Sequence, residues 1–179
     1  FFDYDKDGDL DMLLLNHNPK NLPLLNETGT AELFKQDSPE KGLRLFNQTN
    51  GKFADVTTTS GINGSELSYG LGLGISDFNE DGWPDFYVSN DYTVPDYLYV
   101  NNKNGTFTNQ LEKSLGHTSQ FSMGNDVADI NHDGYPDLIS LDMLPEDEVV
   151  LKRSDGDESI NTLKMRTGGM RMPSWIESV

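Results

Sequence analysis

Asp77-Phe-Asn-Glu-Asp-Gly-Trp-Pro-Asp85 decides the reading of this chain. Oxygen-bearing side chains stand at its positions one, three, five and nine, and Gly82 stands at position six. Alternating oxygens on a tightly curved segment converge on one point, while the side chains between them face away. Glycine permits the sharp turn that such a loop needs at its sixth residue. The carbonyl of position seven, Trp83, is a further donor. Carboxylates gathered this closely repel one another without a cation between them. A donor set made only of hard oxygens selects Ca2+ over zinc or copper, and magnesium keeps its waters and resists all-protein cages.

The nonapeptide recurs. Asp3-Tyr-Asp-Lys-Asp-Gly-Asp-Leu-Asp11 precedes it and Asp129-Ile-Asn-His-Asp-Gly-Tyr-Pro-Asp137 follows it. The expected side-chain ligands are Asp3, Asp5, Asp7 and Asp11; Asp77, Asn79, Asp81 and Asp85; and Asp129, Asn131, Asp133 and Asp137. The seventh-position carbonyls of Asp9, Trp83 and Tyr135 complete the three sets. The side chains of Asp9 and His132 fall at non-ligand positions and are expected in solvent. Position twelve is Leu14, Val88 and Ser140, so the acid that closes an EF-hand loop is missing.

The later two loops start 52 residues apart, at 77 and 129, and the first two start 74 apart, at 3 and 77. Other elements keep the shorter period. Leu45–Phe53 matches Leu98–Phe107 with a one-residue slip, and Tyr69–Gly72 matches Phe121–Gly124. The longer first interval fits an insertion over about His17–Lys41. Asn50-Gly51 and Asn104-Gly105 sit between short apolar segments, and Asn-Gly is the preferred pair for a tight hairpin because both residues accept positive φ. The hairpins are expected over Leu43–Gln48 with Lys52–Thr57 and over Tyr97–Asn102 with Thr106–Gln110. Strand-like runs follow the loops at Met12–Asn16, Phe86–Asn90 and Leu138–Leu141. Glycine-containing runs precede two of them at Tyr69–Ser76 and Phe121–Ala128. Four short strands per ~50 residues are the signature of a propeller blade. The fold class is therefore all-β, a partial β-propeller of two to three four-stranded blades. The expected units are a blade over 1–68 that starts within its loop, a blade over 69–120, the start of a third over 121–145, and an insertion or inter-blade segment over 146–179.

The composition agrees. The formal net charge of the 179 residues is −17, with no cysteine. Disulfides, a zinc ribbon and a Cys nucleophile are excluded. So acidic a chain is a poor partner for nucleic acid, and no apolar run is long enough to enter a membrane. The chain opens inside a motif and is expected to be a piece of a longer protein.

The segment YGLGLGISDFNEDGWPDFYVSND, residues 69–91, followed by YLYVNNKNGTFT, residues 97–108, resembles the FG-GAP/VCBS repeats of integrin-α-like β-propellers, in particular those of bacterial surface and secreted proteins. The resemblance covers roughly residues 1–145. It implies that each acidic loop joins the first two strands of a blade and holds Ca2+, about three ions in all, through the residues named above. It also implies further blades of the same parent chain, since a full propeller of that family has about seven. Residues 143–179 depart from the pattern.

Extracellular calcium modules bind with Kd on the order of 10⁻⁴–10⁻³ M, so such sites fill outside the cytoplasm. The expected location is extracellular or at the cell surface. Enzymatic chemistry is not expected. His17, His117 and His132 lack ligand spacing to one another, and no nucleophile elbow, phosphate loop or dinucleotide fingerprint occurs. Most aromatics are expected between blades. Trp83 and Tyr135 are the candidates for stacking on a sugar or a partner protein. Asn26, Asn47, Asn63 and Asn104 open sequons, acceptors only in a eukaryotic secretory path. The functional expectation is a calcium-stabilised binding or adhesion scaffold for a protein or glycan ligand. The alternatives are an accessory domain of a secreted carbohydrate-active enzyme and a structural subunit of a surface filament or matrix.

Overall fold

The computed structural model describes residues 1–18, 27–91, 94–116, 118–119 and 121–143. The expectations for Asn26, His117 and 146–179 lie outside these residues. The chain is all-β in its sheets, as expected, and forms part of a β-propeller. Strands β1 (Met12–Leu14), β2 (Arg44–Thr49) and β3 (Lys52–Asp55) make one antiparallel sheet in that order. Strands β4 (Gly70–Ser76), β5 (Asp85–Asn90), β6 (Tyr97–Asn101) and β7 (Phe107–Asn109) make the second, and β8 (Ser122–Ala128) with β9 (Asp137–Asp142) the third. Four strands per blade is thus met only by the middle sheet among the described residues. In the first, the strand before the loop is reduced to a bridge between Phe2 and Asp11.

The register repeats with the sequence. Phe2 pairs with Asp11, Ser76 with Asp85 and Ala128 with Asp137, so the residue before each loop always faces the loop's ninth residue. The second and third sheets also share a bulge, between Gly70 and Gly72 and between Ser122 and Gly124.

The middle sheet is buried on both faces. Every residue of β5 and β6 is buried, which explains why both read as unbroken apolar runs rather than alternating ones. Phe86, Val88, Tyr97 and Tyr99 pack with Leu13, Leu45 and Phe2 of the first sheet. Tyr87, Leu98 and Val100 face the other way, against Leu111, Phe78 and Leu138. Burial of each such side chain stabilises the stack by about 1.5–3 kcal/mol. The expected placement of aromatics between blades therefore holds for Phe86, Tyr87, Tyr97 and Tyr99.

Sheet three approaches sheet two through glycine. A β-carbon at Gly72 would stand 2.7 Å from the Asn125 backbone nitrogen and 2.8 Å from Gly124 Cα. Only a residue without a side chain lets β4 and β8 lie this close.

Two features differ from expectation. The insertion contains a helix, α1 (Glu27–Phe34), and a short helix, α2 (Leu111–Ser114), follows β7. Arg44, buried in β2, anchors the insertion through Asp37, with N–O distances of 2.6 and 3.1 Å. The two hairpins also differ. Asn50 (φ 52°) and Gly51 (φ 75°) form the expected two-residue turn, but in the second it is Lys103 (φ 63°) and Gly105 (φ 80°) that are left-handed, not Asn104. The extra residue there lengthens the loop, and Asn104 Oδ1 instead accepts from Thr106 N–H at 3.1 Å and Thr106 Oγ at 2.7 Å.

Candidate metal centres

The three acidic loops are built alike. The first-position carboxylate accepts two backbone N–H groups from further along the loop. Asp3 takes Asp7 and Gly8, both at 3.1 Å; Asp77 takes Asp81 at 2.9 Å and Gly82 at 2.7 Å; Asp129 takes Asp133 at 3.1 Å and Gly134 at 2.9 Å. The fifth-position carboxylate accepts the seventh-position N–H at 2.9 Å in every loop, through Asp7, Asp81 and Asp133. Such short local acceptors are what Asp and Asn offer a turning backbone. Gly8, Gly82 and Gly134 take φ of 92°, 85° and 91°, the left-handed geometry expected at position six.

Position four was not foreseen. Lys6, Glu80 and His132 adopt φ of 59°, 56° and 61°, a conformation uncommon for such residues. The sequence carries no glycine or asparagine there to signal it. The hydrogen bonds from Asp3, Asp77 and Asp129 impose it on the loop.

Position nine has a second task. Asp11 accepts Tyr4 N–H at 3.1 Å on one oxygen and Gln48 N–H at 2.8 Å on the other. Asp85 repeats this with Phe78 at 3.1 Å and Asn101 at 2.8 Å. Gln48 lies on β2 and Asn101 on β6, so each carboxylate ties its loop to the next strand but one. Asp11 and Asp85 are wholly buried. Asp137 accepts Ile130 N–H at 2.9 Å.

In the first loop one carboxylate oxygen from each of Asp3, Asp5 and Asp11 lies within 4.8 Å of the other two, a group that does not include the expected ligand Asp7. Asp5 Oδ2 accepts from Asn47 Nδ2 at 2.8 Å, whereas Asp5 Oδ1 is buried with no hydrogen-bond partner among the described residues. A buried carboxylate oxygen left this way is costly unless a cation or water satisfies it. Burial and the charges of Asp7 and Asp3 push the Asp5 carboxyl above its ordinary pKa; burial does the same to Asp11 and Asp85. A donor set of hard carboxylate oxygens, of which Asp5 Oδ1 lacks a partner among the described residues, fits a divalent cation of the calcium class.

In the second and third loops the third position is an amide. Asn79 Oδ1 accepts Asp81 N–H at 3.1 Å while its Nδ2 donates to Asp81 Oδ2 at 3.0 Å; Asn131 and Asp133 repeat this at 2.9 and 3.0 Å. Lys103 Nζ lies 3.3 Å from Asp81 Oδ2. Burial opposes ionisation of Asp81, but hydrogen bonds from Trp83 N–H, Asn79 and Lys103 hold its carboxyl below the usual range.

The seventh-position side chains part company. Tyr135 is 53% exposed. Trp83 is half-buried and Lys6 Nζ sits 5.1 Å from its ring centre, so the ring face expected to be open for stacking is occupied by an ammonium. His132 is exposed, as expected, and Asp9 is partly exposed.

Residues 77–140 match the family of the FG-GAP-like repeat. That stretch, from the second acidic loop into β9, is thus similar to an FG-GAP-like repeat. It is similar to integrin alpha-6 of Gallus gallus, 28% identical over 127 residues that cover 65% of this chain and 11% of that relative. It is likewise similar to integrin alpha-6 of Homo sapiens, 29% identical over 126 residues, 65% of this chain and 10% of the relative. The chain spans about a tenth of the length of these curated relatives. Among the described residues no helix is long and apolar enough to cross a membrane.

Proposed function

We propose that the three acidic loops hold Ca2+ and that the chain is part of an extracellular propeller presenting a binding surface to a protein or glycan. The observation that carries this reading is the first loop, where three carboxylate oxygens crowd together and Asp5 Oδ1 is buried without a hydrogen-bond partner among the described residues. The ligands are those named from the sequence: positions one, three, five and nine of each loop, with the carbonyls of Asp9, Trp83 and Tyr135. Bound Ca2+ supplies charge neutralisation and fixes the loop backbone. The residues themselves do the rest: Asp3, Asp77 and Asp129 curl the loop, and Asp11 and Asp85 bolt it to the blade. The blades are units over 1–68, 69–120 and 121–145, with 146–179 as an inter-blade segment, and further blades of the parent chain complete the propeller. The role is that of a rigid, non-enzymatic scaffold.

The test is thermal. At 1 mM free Ca2+ a site with Kd of 10⁻⁴–10⁻³ M adds roughly 0.4–1.4 kcal/mol. Three sites sum to about 1–4 kcal/mol, which raises Tm by on the order of 5–10 °C. Calorimetry in calcium and in EDTA measures the difference; equal melts in the two buffers would refute the structural role of the ion.

A further inference from the structure

Asp3, Asp5 and Asp11 of the first loop gather oxygens, while Tyr4 and Lys6, with Phe2 just before the loop, point into the neighbouring sheet. Phe2 packs against Phe86 with ring centroids 6.4 Å apart, and Tyr4 against Phe107 at 5.7 Å. Lys6 reaches the second loop itself. Its Nζ donates to the carbonyl of Gly82, and the same ammonium lies over the Trp83 ring. A second connection is buried. Tyr4 N–H donates to Asp11 Oδ2 at 3.1 Å, and Tyr4 C=O accepts from Asn101 Nδ2 at 2.8 Å. Asn101 N–H then donates to Asp85 Oδ1 at 2.8 Å. The ninth-position carboxylates of two loops are therefore joined through one tyrosine backbone and one asparagine. Asp11, Tyr4, Asn101 and Asp85 are all at most 4% exposed.

We propose that the first and second loops bind their cations cooperatively, with Asn101 and Lys6 as positioning residues, while the third loop fills independently. This rests on the calcium reading above. When the first loop is ordered around its ion, Asp11 and the left-handed Lys6 are fixed, and with them the Tyr4 carbonyl and the Lys6 ammonium. Those groups hold Asn101 and the Gly82–Trp83 peptide. The N–H of that peptide is bonded to Asp81 Oδ1 at 2.9 Å, so Asp81 and Asp85 of the second loop are both set from the first. Ordering one end lowers the cost of ordering the other, and the coupling is reciprocal. The Lys6 charge by itself repels a cation in the second loop, but it is exposed and screened. The buried hydrogen-bonded path is not screened in this way and dominates. The second loop cannot pass this on to the third in the same way. Glu80 stands where Lys6 stands, and a carboxylate cannot donate to a carbonyl. Among the described residues no hydrogen bond joins those two loops.

Each loop carries its own reporter, since the Gly8, Gly82 and Gly134 amides are bonded to the first-position carboxylate. Amide ¹H–¹⁵N spectra of the 179-residue chain, titrated with CaCl2, give a midpoint for each. With the first loop disabled by Asp3→Ala, the Gly82 midpoint should move to about fivefold higher calcium and Gly134 should not move. Asp77→Ala should shift Gly8 by the same factor. If Asp3→Ala fails to fold, Lys6→Met provides an independent test at an exposed side chain: the Gly82 midpoint weakens, and Lys6→Arg restores it. An unmoved Gly82 midpoint in Asp3→Ala, or tighter binding there in Lys6→Met, overturns the coupling and leaves the calcium reading standing. No calcium-dependent shift at any of the three glycines overturns both.

Discussion

Replacing Asp85 by alanine separates the two tasks assigned to position nine. Asp85 is wholly buried and accepts N–H groups from Phe78 and Asn101. Its removal leaves one buried and one partly buried donor unpaired, each costing about 1–3 kcal/mol. The sum, taken near its middle, is about 4 kcal/mol, a large share of a typical 5–15 kcal/mol stability. Loss of one calcium site at 1 mM costs only about 0.4–1.4 kcal/mol. Urea unfolding followed by fluorescence, in calcium and again in EDTA, tells the contributions apart. If the hydrogen bonds dominate, Asp85→Ala remains destabilised by about 3–4 kcal/mol when no calcium is present. Asp81→Ala, whose side chain is partly exposed, should lose less than about 1.5 kcal/mol in EDTA. A difference for Asp85→Ala that vanishes in EDTA would refute the argument, because the carboxylate would then act through the ion alone.

Asp96 gives a pH signature of opposite sign to ordinary acid denaturation. It is wholly buried, accepts from Asn90 N–H at 2.7 Å and from the Tyr87 hydroxyl, and burial pushes its carboxyl up to about 6. The folded state keeps a proton that the unfolded chain releases near pH 4, so this group's contribution falls as pH rises from about 4 to 6, by on the order of 3 kcal/mol. Asp96→Asn removes that slope, and its stability relative to the parent should rise across the window; parallel urea curves at pH 4.5 and 6.5 would refute it. Gly72→Ala places a methyl against the Asn125 and Gly124 backbone and should cost about 1–3 kcal/mol. Because the clash lies between β4 and β8, proteolysis within β8–β9 should accelerate while the first two sheets stay protected; uniform protection would show that the sheets part without strain.

The loops were legible from the sequence because their chemistry is local. Asp and Asn at alternate positions and glycine at the sixth can be read without knowing what lies beside them, and the 52-residue period is matched by the shared register and bulge of the second and third sheets. What escaped reading depends on contacts distant in sequence. Asp85 looks like one more ligand until Asn101 is brought to it, and nothing in the nonapeptide shows that a strand 16 residues away will lean on it. Trp83 reads as an open aromatic surface until Lys6, 77 residues earlier, covers it. The left-handed residue at position four is invisible for another reason. Lysine, glutamate and histidine share no backbone preference, so the conformation belongs to the hydrogen-bonded loop and not to the residue.

The same division explains how one short motif can serve both the proposed metal site and the packing of the sheets. Along the first loop, Asp3, Asp5 and Asp11 turn inward and Tyr4 and Lys6 turn towards the next sheet. Two-residue alternation gives a loop two faces, as it does a strand. On the calcium proposal, ordering the inward face around an ion and docking the outward face on a neighbour become one event. A blade whose fourth position is lysine grips the next loop, and one with glutamate there, as at Glu80, does not. The repeats are alike at positions one, three, five and nine, which are proposed to hold the ion, and differ at positions two and four, where Tyr4 and Lys6 of the first loop meet the next sheet.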